Sequence, residues 1–290
     1  CLSSLNLETY DEWKDDENFV PDVMRFLDNV LTDFTEKAPE SFSDAVYSAL
    51  KERSVGLGVM GLHSFFQQKM IPFESVMSKV WNKKIFESIQ KQVDQASKDL
   101  ADERGACPDA ADYGINERFS NKTAIAPTAS ISIICGGTSP GVEPIAANSY
   151  THKTLSGSFN VRNKYLSKLL EKHGKNDDET WSSITTNQGS VSHLDFLTQQ
   201  EKDVFKTAFE LDQKWIVELG ADRTPHISQA QSINIFIPAD IHKRDLHQIH
   251  FQAWKKGLKS LYYCRSKSIQ RAENVNDANS TDVTANVYKS

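Results

Sequence analysis

Residues 232–237 form a short apolar, strand-like run, residues 240–259 are patterned like an amphipathic helix, and residues 260–264 are strand-like again. Two parallel strands cannot be joined by a tight turn; they need a crossover of about a dozen residues or more, normally helical. The spacing predicts a strand-helix-strand unit in a mostly parallel sheet and commits the chain to an α/β architecture.

The same alternation runs upstream. After strand-like residues 1–7, Val23, Phe26, Leu27, Val30, Leu31 and Phe34 recur at spacings of three and four, one face of a helix expected to pack on a sheet. Residues 55–62 are apolar, with Gly56, Gly58 and Gly61 permitting close backbone approach; this is a weak phosphate-loop signal and reads as tight packing, with a helix over 62–68. Residues 73–103 are the longest helical stretch, striped by Val76, Val80, Ile85, Ile89, Val93, Ala96 and Leu100 and stopped by Gly105. Residues 123–126 and 131–134 read as short strands around a turn at Pro127, and the Gly- and Pro-rich residues 136–144 as a loop. Residues 150–192 are polar and mixed, and 198–219 read as one helix carrying Val204, Phe205, Ala208, Leu211, Trp215 and Ile216. Residues 274–290, rich in Asn, Asp, Ser and Thr, are expected to be a disordered tail.

A chain of 290 residues, 39% hydrophobic and 25% charged, can bury a substantial core and reads as soluble and globular. A net charge of −6 with no Lys/Arg-rich run argues against a nucleic-acid surface, so any phosphate it binds is expected on a small molecule. With no apolar run of about 18 residues and no secretory signal, the expectation is cytoplasmic, with no membrane association. Cys1, Cys107, Cys135 and Cys264 lie far apart, without C-x-x-C or zinc spacing, and read as free thiols. Asp240, His242, Asp245, His247 and His250 crowd one segment, but their helical spacing fits no metal motif, so they read as solvated or capping side chains.

Two adjacent phenols, Tyr262 and Tyr263, could move a proton and an electron together; alone, they read more simply as strand aromatics. They are joined by Cys1-Leu2-Ser3-Ser4-Leu5-Asn6-Leu7, by Ala126-Pro127-Thr128-Ala129-Ser130-Ile131-Ser132, and by Gly136-Gly137-Thr138-Ser139-Pro140-Gly141-Val142-Glu143-Pro144. Together these resemble the C-terminal half of the catalytic large subunit of class I ribonucleotide reductase, from Cys1 to about residue 273. The resemblance implies the second half of a ten-stranded α/β barrel plus a C-terminal α/β segment. Residues 1–150 would be the half-barrel with the substrate phosphate loop, and 151–273 the segment with the tyrosine strand.

The resemblance also implies roles. Cys1 would be the second member of the thiol pair that reduces the ribose and becomes a disulfide, which requires Cα atoms within about 7 Å. Its partner would lie outside this chain. Tyr262 and Tyr263 would relay an oxidising equivalent, since a phenol with a pKa of about 10 does not ionise unaided. Stacking would require a local distortion, because consecutive strand residues point to opposite faces. Pro127, Thr128, Ala129, Ser130, Ile131 and Ser132 would hold the substrate diphosphate through backbone N–H groups and the hydroxyls of Thr128, Ser130 and Ser132, with Glu143 supporting from behind. Ala129 stands where an acidic residue is common in the family, so no carboxylate role is carried over. No cofactor or metal is expected within the chain; the radical would come from the metal cofactor of the small subunit.

The implied partners are the N-terminal part of the large subunit, the small radical-generating subunit, a ribonucleoside diphosphate and a thioredoxin- or glutaredoxin-type reductant. The cysteine that carries the radical, and its neighbours, would precede Cys1, and no cysteine pair follows Cys264. The chain alone is therefore expected to be inactive. It starts with Cys rather than Met, so an upstream piece is expected, whether removed by trimming, gene splitting or protein splicing. Two alternatives stay open: a fragment of the cobalamin-dependent class, which has no use for a tyrosine relay, and a non-catalytic assembly module.

Overall fold

The computed structural model describes residues 1–154 and 157–267, with side chains outside 152–159. The expected tail, residues 274–290, lies outside the described residues. The strands in chain order are β1 Leu2–Asn6, β2 Gly56–Met60, β3 Ser149–Thr154, β4 Gly157–Arg162, β5 Ile235–Ile237 and β6 Cys264–Ser266. The helices are α1 Tyr10–Trp13, α2 Phe19–Lys37, α3 Ser43–Glu52, α4 Leu62–Gln68, α5 Val76–Arg104, α6 Pro108–Ala111, α7 Ile131–Ile134, α8 Lys164–Lys172, α9 Asp178–Thr186, α10 Gln199–Val204, α11 Gln213–Arg223 and α12 Lys243–Lys255.

Hydrogen bonds join four chain segments and β6 into one parallel array. β1 pairs with β2, Leu2 opposite Gly56. Leu57 then bridges Thr123, Ile125 bridges Gln231, and β5 pairs with β6, all parallel. The order β1, β2, 122–125, 231–237, β6 follows the sequence, as successive right-handed crossovers produce. The predicted crossover at the C-terminal end is present, with α12 between β5 and β6. The glycine-rich run serves packing, as expected. A Cβ on Gly58 would lie 2.1 Å from the Ala124 carbonyl oxygen, so only glycine lets β2 approach its neighbour. Gly61, at φ 82°, turns the chain from β2 into α4.

The helices cover this sheet through faces that periodicity located only in part. α5 begins at Ser75, whose side chain accepts from the Ser78 N–H, and stops at Gly105 at φ 88°. Ile85, Ile89, Val93, Ala96 and Leu100 are buried as expected, whereas Val76 and Val80 are 73% and 52% exposed. On α2 the buried face is Val20, Met24, Leu27 and Leu31, and Phe26 of the predicted stripe is 62% exposed. The rotation brings Asp28 inward, where Arg53, Arg104 and Arg118 all donate to its carboxylate.

Three further expectations are corrected. Residues 131–134 are not a strand but the one-turn helix α7, because the Thr128 and Ser130 carbonyls accept from the Ser132 and Ile134 N–H groups. Residues 198–219 are two helices. Between them Ala208 N–H donates to the Ile145 carbonyl and the Phe205 carbonyl accepts from Asn148, so neighbouring loops take the bonds a continuous helix would need. The last strand begins at Cys264 rather than residue 260.

Residues 150–192 contain the antiparallel hairpin β3–β4 and helices α8 and α9. A second apolar cluster, including Leu166, Leu170, Trp181, Ile184 and Phe205, lies within residues 165–205. Residues 208–253 return to the main core with Leu5, Val59, Ile89 and Ile125. Among the described residues no helix is long and apolar enough to cross a membrane.

Candidate active site

Pro127 ends the third barrel segment because it has no N–H to continue a ladder. Thr128 then takes φ 52°, a left-handed conformation that costs energy for a β-branched residue. The surrounding bonds hold it there. Thr128 Oγ1 accepts from Gly141 N–H at 2.7 Å, and its carbonyl accepts from Ser132 N–H at 3.1 Å. Ser132 Oγ donates to the Ala129 carbonyl at 3.3 Å. Two of the three predicted hydroxyls therefore build the turn, while Ser130, like Ala129 and Ile131, is exposed.

Side chains without a sequence signal pin the loop that follows. Asn6, at the end of β1, donates to the Cys135 carbonyl at 3.5 Å. Lys164, at the start of α8, donates to the Gly136 carbonyl at 3.0 Å and pairs with Glu8. Glu8 also accepts from the Tyr165 hydroxyl; burial first, then that bond, raise the Tyr165 phenol above its ordinary range. Ser64 Oγ accepts from Ser139 N–H at 2.9 Å. The loop behind the Pro127 turn is thus held by the end of β1 and by the first turns of α4 and α8.

The distortion needed at the tyrosines is visible in the register. Ile235 lies opposite Cys264, so a regular parallel ladder would carry the N–H of residue 263 to the Ile233 carbonyl. Instead Tyr262 N–H takes that carbonyl at 2.8 Å. One extra residue is accommodated, as in a bulge, and the strict alternation of faces fails. The displaced Tyr263 N–H donates to Asn234 Oδ1 at 3.0 Å, and Asn234 Nδ2 donates to Glu143 Oε1 at 2.6 Å. The two rings lie 4.2 Å apart, centroid to centroid, at 53°. Both are about half exposed, and Arg265 sits 5.8 Å from the Tyr263 ring centre. Contact with the Tyr263 hydroxyl raises the Tyr262 pKa, so Tyr262 is protonated at neutral pH.

The structure therefore connects the turn at Pro127 with the tyrosine pair through Gly141, Glu143 and Asn234. Cys1 is placed apart from that connection. It is exposed at the start of β1, its carbonyl accepting from Gly56 N–H at 2.8 Å. At about 3.3 Å per residue, five residues put it roughly 16 Å along the strand from Asn6. Cys135 and Cys264 are exposed thiols and Cys107 is buried. His242 Nδ1 caps α12 by accepting from Arg244 N–H, and His247 stacks on Phe251.

Residues 1–114 and 109–264 match the ribonucleotide reductase barrel domain. The ribonucleoside-diphosphate reductase large subunit of Invertebrate iridescent virus 6 is 53% identical over 279 residues, 95% of this chain and 29% of that protein. The corresponding subunit of Invertebrate iridescent virus 3 is 45% identical over 284 residues, 97% of this chain and 45% of that protein. Among solved structures, the class Id ribonucleotide reductase alpha subunit of Actinobacillus ureae aligns with a TM-score of 0.86 at 40% identity, covering 92% of this chain and 49% of that one. The chain spans less than half the length of each of these three relatives. Five sequential parallel segments, the turn at Pro127 and the paired tyrosines thus sit in a chain that belongs to the ribonucleotide reductase family and corresponds to part of the barrel of the class I large subunit.

Proposed function

We propose that this chain supplies part of the catalytic chamber of a cytoplasmic class I ribonucleoside-diphosphate reductase, active once joined by the N-terminal part of the large subunit and a radical-generating small subunit. The observation that carries this is the tyrosine pair, 4.2 Å apart and hydrogen-bonded through Asn234 and Glu143 toward the phosphate turn. The ribose 2′-hydroxyl leaves as water while two cysteine thiols become a disulfide, so the two electrons gained by carbon are those lost by sulfur. Cys1 is one thiol of that pair, and a thioredoxin- or glutaredoxin-type dithiol restores it by exchange.

In this reading the turn over residues 127–132 receives the diphosphate on backbone N–H groups and the Ser130 hydroxyl. Tyr262 and Tyr263 carry the oxidising equivalent inward from the metal cofactor of the small subunit. Each phenol gives up its proton together with its electron. The relay also separates this class from a cobalamin-dependent reductase, which makes its radical locally.

The test is Tyr262→Phe and Tyr263→Phe in the full-length large subunit assembled with its small subunit. Turnover of a ribonucleoside diphosphate should fall to background in both, with folding stability moved by less than about 0.5 kcal/mol, as for other half-exposed positions. Full turnover in either variant overturns the relay. Binding to the other pieces with persistent lack of turnover in the unsubstituted protein would mark the chain as an assembly module.

A further inference from the structure

Two buried polar side chains stand between the phosphate turn and the tyrosines. Asn234 is 1% exposed and Glu143 is 8%. The Asn234 amide is used at both ends, giving its NH2 to Glu143 and taking the Tyr263 N–H on its oxygen. Its orientation is specified. Flipping it would set NH2 against N–H and carbonyl against carboxylate, two repulsive contacts in place of two bonds. Burial raises the Glu143 carboxyl, opposed by the Asn234 bond and the Arg265 charge.

The placement of this pair is specific to the tyrosines. The N–H it captures is the one expelled from the ladder by the extra residue. Without an acceptor there, a main-chain donor would be orphaned, and the strand would gain by slipping back to regular pairing, with alternate rings on opposite faces. Glu143 also belongs to the loop whose Gly141 N–H donates to Thr128 Oγ1, so the clamp is anchored in the same structure that backs the phosphate turn.

We propose that Glu143 and Asn234 are positioning residues for the tyrosine relay: they lock the extra residue at Tyr263 in place and set both phenols relative to the bound nucleotide. This rests on the relay reading above.

The experiment uses the full-length large subunit with its small subunit and reads kcat and KM for a ribonucleoside diphosphate, alongside thermal unfolding. Asn234→Asp sets two carboxylates against each other and should lower kcat roughly 10- to 100-fold, the size of effect that small misplacement produces, while KM changes less than about threefold. Glu143→Gln keeps an acceptor for the Asn234 NH2 and should lower kcat less than Asn234→Asp does. Combined with Asn234→Asp, it restores a donor-acceptor pair in reverse polarity, with Asp accepting from both Gln and the Tyr263 N–H, and kcat should return to within about threefold. A merely structural pair would lower stability and activity together and regain both together in the double variant, whereas a positioning pair lowers kcat by more than its loss of stability explains.

A double variant no better than Asn234→Asp overturns the proposal, as does an Asn234→Asp enzyme with normal kcat beside an inactive Tyr263→Phe enzyme. Full turnover in Tyr263→Phe instead overturns the relay itself. Should Asn234→Asp not fold, Asn234→Ser takes its place: a lowered kcat at unchanged KM, not rescued by Glu143→Gln, supports the clamp, and normal kcat overturns it.

Discussion

Thr128 carries a strained φ of 52° because its hydroxyl and carbonyl each hold part of the loop around it. Thr128→Ala removes the acceptor for the buried Gly141 N–H and should cost about 1–3 kcal/mol in urea unfolding, with a raised KM for the nucleotide, whereas Thr128→Ser should recover most of both. His63 illustrates a different single-residue effect. It is fully buried, its Nδ1 accepts from Ile145 N–H at 2.9 Å, and burial pushes its pKa down from 6.5 to about 3. The unfolded chain therefore binds a proton that the folded one refuses between those values, so stability falls as pH drops from about 6.5 toward 3. His63→Asn keeps an acceptor for Ile145 and should flatten the melting temperature across that pH interval; an unchanged slope would show that His63 does not cause it. The role of Thr128 was legible as a turn from Pro127 and the hydroxyls, but nothing in the sequence distinguishes hydroxyls that face a ligand from those that build the loop.

Asp28 decides how α2 sits. Burial by itself would raise its carboxyl, but hydrogen bonds from Arg118, Arg53 and Arg104 outweigh this and hold it below the ordinary carboxylate range. Asp28→Asn leaves three guanidinium groups without their shared charge and should destabilise the fold by about 3–5 kcal/mol in urea titration. Because the folded pKa is depressed, this stabilisation is present above the ordinary Asp range and is lost only as pH falls through the folded value. The α2 stripe shows why spacing alone misplaced a face. The expected stripe counted Phe26 as core, yet Phe26 is exposed and Asp28 is buried, its carboxylate met by arginines from residues 53, 104 and 118. Similarly, the apolar residues of 198–219 fit one helix until residues 145–148 claim bonds from its middle.

Among the described residues, neither β1 nor β6 has a second strand beside it. Leu2 is 63% exposed on one edge strand, and Ile131, Ile133 and Ile134 are exposed beside the Pro127 turn. Unpaired edges and exposed apolar side chains invite association. The isolated chain should self-associate with rising concentration in sedimentation experiments, and addition of the complementary half-barrel should give a single defined complex; a stable monomer would show that these edges need no cover.

Local sequence was enough for the α/β class, the parallel crossover and the glycine-dependent close packing at Gly58. Each depends on periodicity, residue type or a motif, all local along the chain. Long-range contacts settled which faces turn inward, that 131–134 become helical and that two consecutive tyrosine rings lie 4.2 Å apart. Those outcomes depend on hydrogen-bond partners such as Asn234 and Glu143, 91 residues apart, whose meeting is set by the closing of the sheet rather than by anything near either residue.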